Sequence, residues 1–197
     1  MRSNHPPSRT STPLTRHSAG LTVLTTASPS AHENLLSLGA AKTFDYHSPT
    51  CGADINAHTS NTLTRVFDTI STAASLPICL AALTTNPANH KQSRISTTLP
   101  WPPALPKRPG VEDTMLFTLG IFGTETGYGE SVIPANAADY AYTKTLYGVA
   151  ERWWKEGKLR VHPPRVVGVG RGLEGVFESI EVARRGEGGG VKLVVRL

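Results

Sequence analysis

Between residues 21 and 99, β-branched apolar runs alternate with helix-forming stretches at short intervals, and this alternation restricts the fold more than any other feature. LTVLTTA (residues 21–27) reads as a buried strand, because β-branched residues suit a pleated, packed surface. Ser28-Pro29-Ser30 reads as a helix start, a serine cap followed by proline in the first turn. Leu35, Leu36 and Leu38 continue that helix and Gly39 supplies its stop. Residues 42–46 form the next strand, 55–63 a weak helix and 64–70 a third strand ending near Asp68. Residues 71–83 form a helix that Pro77 should bend, and 93–99 alternate like a strand. Strand–helix alternation with short connections predicts one open, mostly parallel α/β sheet of at least four strands. Ligands bind beyond the carboxyl ends of such strands, and Ser28, Tyr46, Asp68 and Thr98 fall at or near those ends.

The sequence KTFDYHSP (residues 42–49) sharpens the point. A strand ends in a carboxylate, a phenol and an imidazole, then meets a Ser-Pro turn. That pattern fits either a surface turn or a strand tip that meets a ligand. Tyr46 is accordingly either a ligand contact or a half-buried cap over the sheet. Asp45 is expected to orient neighbouring backbone and His47 to be solvated.

Composition excludes several classes. The 197 residues carry a formal charge of +5 and a pI near 9.4, but Lys and Arg are scattered, so no nucleic-acid arm is expected. Cys51 and Cys79 cannot make a disulfide framework or a four-cysteine zinc site, and the seven histidines show no metal spacing. No metal is expected, and a reducing, cytoplasmic setting is. No apolar stretch reaches the ~18 residues of a membrane span. Residues 1–20, rich in Pro, Ser, Thr and Arg, read as disordered, with a composition that transit peptides share.

Beyond the proline-rich stretch 101–110, residues 117–122 are apolar and end in Gly123, after which Gly127, Gly129 and Pro134 break the chain. Residues 137–157 read as a long helix with Tyr140, Leu146, Val149 and Trp153 on one face. A strand at 165–169, a helix at 173–184 and a strand at 191–197 close the chain. Gly170-Arg-Gly172-Leu-Glu-Gly175 fits the dinucleotide fingerprint G-x-G-x-x-G, between strand and helix. With no third strand and no ribose-binding residue to follow, a glycine-rich connection is the preferred reading.

The stretch LTVLTTASPSAHENLLSLGAAKTFDYHSPTCGADI, followed in order by RVFDTIST, LGIFGTE, EGKLRVHPPRVV and VKLVVRL, resembles the medium-chain dehydrogenase/reductase superfamily. It is most similar to the zinc-independent trans-acting enoyl reductases of fungal polyketide pathways. The resemblance runs from about Leu21 to Leu197. It implies NADPH-dependent reduction of an α,β-unsaturated acyl thioester carried on a polyketide synthase. It further implies an incomplete Rossmann-type cofactor domain over 21–136 and a C-terminal segment, 137–197, returning to a GroES-like substrate domain. That domain, and a first Rossmann strand with its glycine-rich turn, are not among these residues. The expectation is therefore an incomplete enzyme or, alternatively, a non-catalytic remnant or partner-binding fragment.

Candidate contacts follow. Ala27-Ser28-Pro29 holds no carboxylate, where enzymes that use NAD place one against the ribose diol. Ser28 contacts a 2′-phosphate or caps a helix, two compatible readings, and the amides of the helix opening at Pro29, Ser30 and Ala31 would add the positive end of a helix dipole. The resemblance implies Tyr46 near the adenosine and Val194 and Val195 near the cofactor through backbone and packing. It implies Leu119, Gly120, Ile121, Phe122 and Gly123 lining a substrate tunnel, a segment whose composition alone suggests a buried strand. No residue presents itself as proton donor.

Overall fold

A computed structural model describes residues 21–90, 93–116, 118–128, 131–159, 164–187 and 192–196. The expected disorder of residues 1–20 lies outside the described residues.

The N-terminal half follows the expected order. Strand β1 (Leu24–Thr26) leads through a 3-10 turn (Pro29–Ala31) into helix α1 (His32–Ser37) and strand β2 (Lys42–Phe44). Gly39, at φ 105°, ends α1 as read from sequence. The Ala40 N–H reaches back to the Leu35 carbonyl and the Gly39 N–H to Leu36, a Schellman arrangement that only a left-handed residue closes without strain. Helix α2 (Cys51–His58) begins four residues before the expected start at Ile55. The Ser48-Pro49 turn feeds straight into it, with the Cys51 N–H on the Ser48 carbonyl.

Strand β3 (Arg65–Asp68), helix α3 (Ser75–Ala82), a single helical turn α4 (Pro87–His90) and strand β4 (Arg94–Thr97) come next. Pro77 does not bend α3. It occupies the first turn, where its missing N–H would have had no intrahelical partner. Strand β5 (Glu112–Met115), which the sequence reading lacks, pairs with β4. Arg94 faces Glu112 across that pair, and Arg94 Nη2 sits 2.6 Å from the Glu112 carboxylate. Within the proline-rich stretch, Arg108 donates to the carbonyls of Leu80 and Thr84 and so covers the end of α3.

The expected single sheet is corrected. β1 pairs with β2, and β3, β4 and β5 form a separate sheet, every pairing parallel. Two parallel half-sheets share one layer of helices instead. Phe44 of β2, Cys51 and Ile55 of α2 and Ala82 of α3 form one buried cluster that also holds Leu24 and Ile78. Leu76 and Leu83 pack on Ile95, Val66 and Cys79 in a second. Helix α3 thus serves both half-sheets, and α1 packs on the opposite face, Leu35 and Ala40 against Val23 and Ala27.

The C-terminal half holds a 3-10 segment (Thr118–Phe122), an antiparallel hairpin β6 (Thr126–Tyr128) and β7 (Ser131–Ile133), and helix α5 (Ala137–Lys155). The hairpin stands where glycines and Pro134 suggested only breaks. Asn136 caps α5 by accepting from the N–H groups of Ala138 and Asp139. Strands β8 (Pro164–Val167) and β9 (Lys192–Val195) pair in parallel around helix α6 (Glu174–Arg184).

Candidate functional site

Because β1 and β2 run parallel with Thr26 opposite Phe44, their carboxyl ends leave the sheet side by side. The chain leaves β1 through Ser28, whose backbone is extended (φ −62°, ψ 146°), and leaves β2 through Asp45 and Tyr46. Ser28 Oγ and Tyr46 Oη meet at 3.1 Å, both half-buried. His32 Nε2 lies 2.9 Å from the Ala27 carbonyl and steadies the same exit.

Asp45 Oδ1 accepts the His47 N–H at 3.0 Å and lies 2.7 Å from His47 Nδ1. The backbone donor first, and the imidazole second, hold the Asp45 carboxyl below its usual range. Asp45 therefore orients backbone, as its sequence suggested. His47 is exposed, but it is engaged by Asp45, and its ring stands 4.1 Å from that of Tyr46.

Two expectations change here. Ser28 makes no side-chain cap bond, so the plain helix-cap reading fails and its hydroxyl turns to Tyr46 instead. The amides at the turn are also fewer than expected. Pro29 has none, Ala31 donates to the Ser28 carbonyl, and only the Ser30 N–H lacks a partner among the described residues.

The second pair of strand tips is a closed polar knot. Buried Asp68 accepts the N–H groups of Ile70 and Ser71 on one oxygen and the Ser75 hydroxyl on the other. The Ser71 hydroxyl donates to the Asp68 carbonyl and accepts the Thr98 N–H. These groups satisfy one another, so Asp68 and Thr98 are structural despite their place at strand ends.

Residues 119–123 are not a buried strand. The backbone is a 3-10 turn in which Gly120 is buried and Phe122 is 59% exposed. Gly123, at φ 69°, holds its turn against α5, and a Cβ there would come within 2.9 Å of the Tyr140 ring. Between turn and helix runs a groove of about 580 Å³ lined by Ile121, Phe122, Tyr140, Lys144, Tyr147 and Glu151. Lys144 Nζ sits 5.6 Å over the Tyr140 ring. The α5 side chains of this groove escaped the sequence reading, because a stripe of Tyr and Leu on a helix reads as core.

Val194 and Val195 lie in the β8–β9 pair, which among the described residues is hydrogen-bonded to neither half-sheet. Val195 packs on Gly175, where an added Cβ would come within 3.0 Å of it. Of the fingerprint glycines only Gly175 is closely packed, against Gly168 and Val195, while Gly170 and Gly172 take positive φ in open space. A Cβ on Gly168 would reach 2.3 Å from Gly175 Cα, and Arg171 pairs with Glu174 and Glu178 at the α6 start, where carboxylates repel phosphate. Among the described residues no three His, Cys, Asp or Glu side chains gather to hold a metal, and no helix is long and apolar enough to cross a membrane.

No protein-family profile matches the chain. The trans-enoyl reductase caaB of Aspergillus niger is 35% identical over 179 residues, taking in 89% of this chain and 47% of that protein. The trans-enoyl reductase opdC of Penicillium oxalicum is 34% identical over 181 residues, taking in 89% and 46%. Among solved structures, the CurK enoyl reductase matches with a TM-score of 0.62 at 19% identity, over 91% of this chain and 48% of that one. Parallel strands and flanking helices make an α/β fold that the chain shares with the CurK enoyl reductase. Over the stretch it shares with them, the chain is similar in sequence to fungal trans-enoyl reductases. It spans about half the length of the curated relatives it matches.

Proposed function

We propose that the chain is part of an NADPH-dependent enoyl reductase that reduces an α,β-unsaturated acyl thioester, carried on a polyketide synthase. The observation that carries this reading is the Ser28–Tyr46 hydroxyl pair at 3.1 Å, at the carboxyl ends of two parallel strands. The residues fit the adenosine end of such a cofactor. Two hydroxyls and the Ser30 N–H offer donors to a 2′-phosphate, while the carboxylate within reach, Asp45, is occupied by His47. When bound, the nicotinamide supplies a hydride to the β-carbon of the acyl group. Ser28, Ser30 and Tyr46 bind and orient the adenosine phosphate end, with Pro29 and Ala31 fixing the turn. Ile121 and Phe122 with Tyr140 and Tyr147 give the acyl chain an apolar groove beside Leu119, Gly120 and Gly123. Val194 and Val195 act through packing.

The test uses adenosine 2′,5′-bisphosphate and 5′-AMP as probes, followed by amide NMR of the full chain. The bisphosphate should shift Ser28, Ser30 and Tyr46 at concentrations where 5′-AMP does not, and Ser28→Asp should erase the difference, since a carboxylate there repels the phosphate's roughly two charges. Equal responses to both probes in the unaltered chain would refute the assignment.

A further inference from the structure

We propose that His47 is the cation of the strand-tip site and selects for a nucleotide that bears a ribose 2′-phosphate. The inference rests on the reading of Ser28 and Tyr46 as the adenosine phosphate end, and it names the residue that gives that end its charge.

The sequence leaves few candidates. Residues 27–41 and 43–64, which carry both strand exits and the turns beyond them, contain no Lys and no Arg. Lys42, at the start of β2, lies 5.4 Å over the Phe44 ring. The remaining side chains able to carry positive charge are His32, His47 and His58. His32 Nε2 is committed to the Ala27 carbonyl at 2.9 Å. His58, in the last turn of α2, is held edge-on to Phe44 on the face that α2 covers. The His47 side chain is 60% exposed, and among the described residues its Nε2 has no partner.

The turn after β2 holds that nitrogen in place. Asp45 Oδ1 accepts the His47 N–H at 3.0 Å and lies 2.7 Å from His47 Nδ1, and the Asp45 carbonyl accepts the Ser48 N–H at 3.1 Å. Residues 45–48 therefore form a closed turn. A carboxylate can only accept, so Nδ1 carries the proton of that contact and Nε2 is the free edge of the ring. The imidazole stands 4.1 Å from the Tyr46 ring, tilted by 32°, and Tyr46 Oη is 3.1 Å from Ser28 Oγ. Imidazole, phenol and hydroxyl thus share one strand tip.

Charge decides what this arrangement recognises. A phosphate monoester carries roughly two negative charges and three strong acceptor oxygens. The Ser28 and Tyr46 hydroxyls and the Ser30 N–H are neutral donors, which satisfy acceptors and leave the charge unbalanced. Hydrogen bonds from an ionised donor are about twice as strong. Nε2 takes a proton from solvent as the phosphate arrives. The imidazolium then donates through Nε2 to the phosphate and through Nδ1 to Asp45, so each charge in the line has an opposite neighbour. A bare 2′-hydroxyl gains nothing from this cation. His47 therefore acts on the choice between the two nucleotides and not on adenosine binding in general.

The experiment titrates the full chain, His47→Gln and His47→Arg with adenosine 2′,5′-bisphosphate and with 5′-AMP, read by amide NMR at Ser28, Ser30 and Tyr46. His47→Gln, polar but uncharged, should weaken the bisphosphate about tenfold and leave 5′-AMP within about twofold. His47→Arg restores a cation and should recover most of the loss. In the bisphosphate complex of the unaltered chain, imidazole nitrogen spectra should show a proton on both Nδ1 and Nε2. An unprotonated Nε2 in that complex, equal losses for both nucleotides in His47→Gln, or no recovery in His47→Arg would overturn the proposal. Discrimination that survives His47→Gln but is erased by Ser28→Asp overturns this inference alone. An unaltered chain that does not discriminate overturns both it and the reading beneath it.

Discussion

Gly52→Ala probes the helix contact that carries both half-sheets. A methyl group on Gly52 would stand 2.6 Å from Ala81 Cβ, 2.7 Å from the Ile78 carbonyl oxygen and 3.3 Å from Ile78 Cα. None of these atoms is the end of a flexible side chain, so α2 and α3 must separate. Overpacking of this kind costs about 1–3 kcal/mol, and rigid backbone partners place it near the upper figure. Alanine's better helix propensity returns at most about 1 kcal/mol. The net expectation is a loss of about 2 kcal/mol, which for a chain of this size lowers Tm by about 4–8 °C. Gly148→Ala is the control. Gly148 lies inside α5, and a Cβ added there would meet nothing within 4 Å. There the propensity gain acts alone, about 0.5–1 kcal/mol of stabilisation. Urea and thermal unfolding followed by circular dichroism measure both. If Gly52→Ala is as stable as the parent, the helices are not in contact at Gly52, and the shared layer beneath the two half-sheets is wrong.

Asp68→Ala should cost about 2–4 kcal/mol in urea unfolding, because it strands the buried Ser71 N–H, the half-buried Ile70 N–H and the Ser75 hydroxyl, and releases Ser71 from φ 55°. A change below about 0.5 kcal/mol, ordinary for a surface substitution, would show that the knot is open to water. Burial first, and the Asp68 carboxylate second, push the Cys79 thiol well above its ordinary value of 9.0. Because the folded value is raised, the folded chain resists ionisation, and the associated stability is present below pH 9 and lost above it. Iodoacetamide at pH 8 should therefore modify Cys79 only after unfolding in urea, as intact and peptide mass will show; prompt modification of the folded chain would refute this.

What the sequence reveals depends on the range of the interaction that forms each element. The turn at Ser28-Pro29, the stop at Gly39 and strands β1, β2 and β3 are decided by residues within one turn of each other, and all were legible. Strand β5 was not. Glu112 and Asp113 argue against a strand taken alone, and the segment becomes one by pairing with β4, where Arg94 meets Glu112, while Lys107 from the preceding loop meets Asp113. The candidate site divides in the same way. Ser28 and Tyr46 could each be picked out at a strand end, but their contact, across 18 residues, exists only once two strands lie parallel and in register. Adjacency of strands is the least legible property of all. Alternation of strand and helix requires parallel pairing, yet it is equally satisfied by one sheet and by two half-sheets under a common helix layer. What separates those arrangements is whether β1 pairs with β3, which it does not among the described residues, and the alternation within the chain is the same in either case.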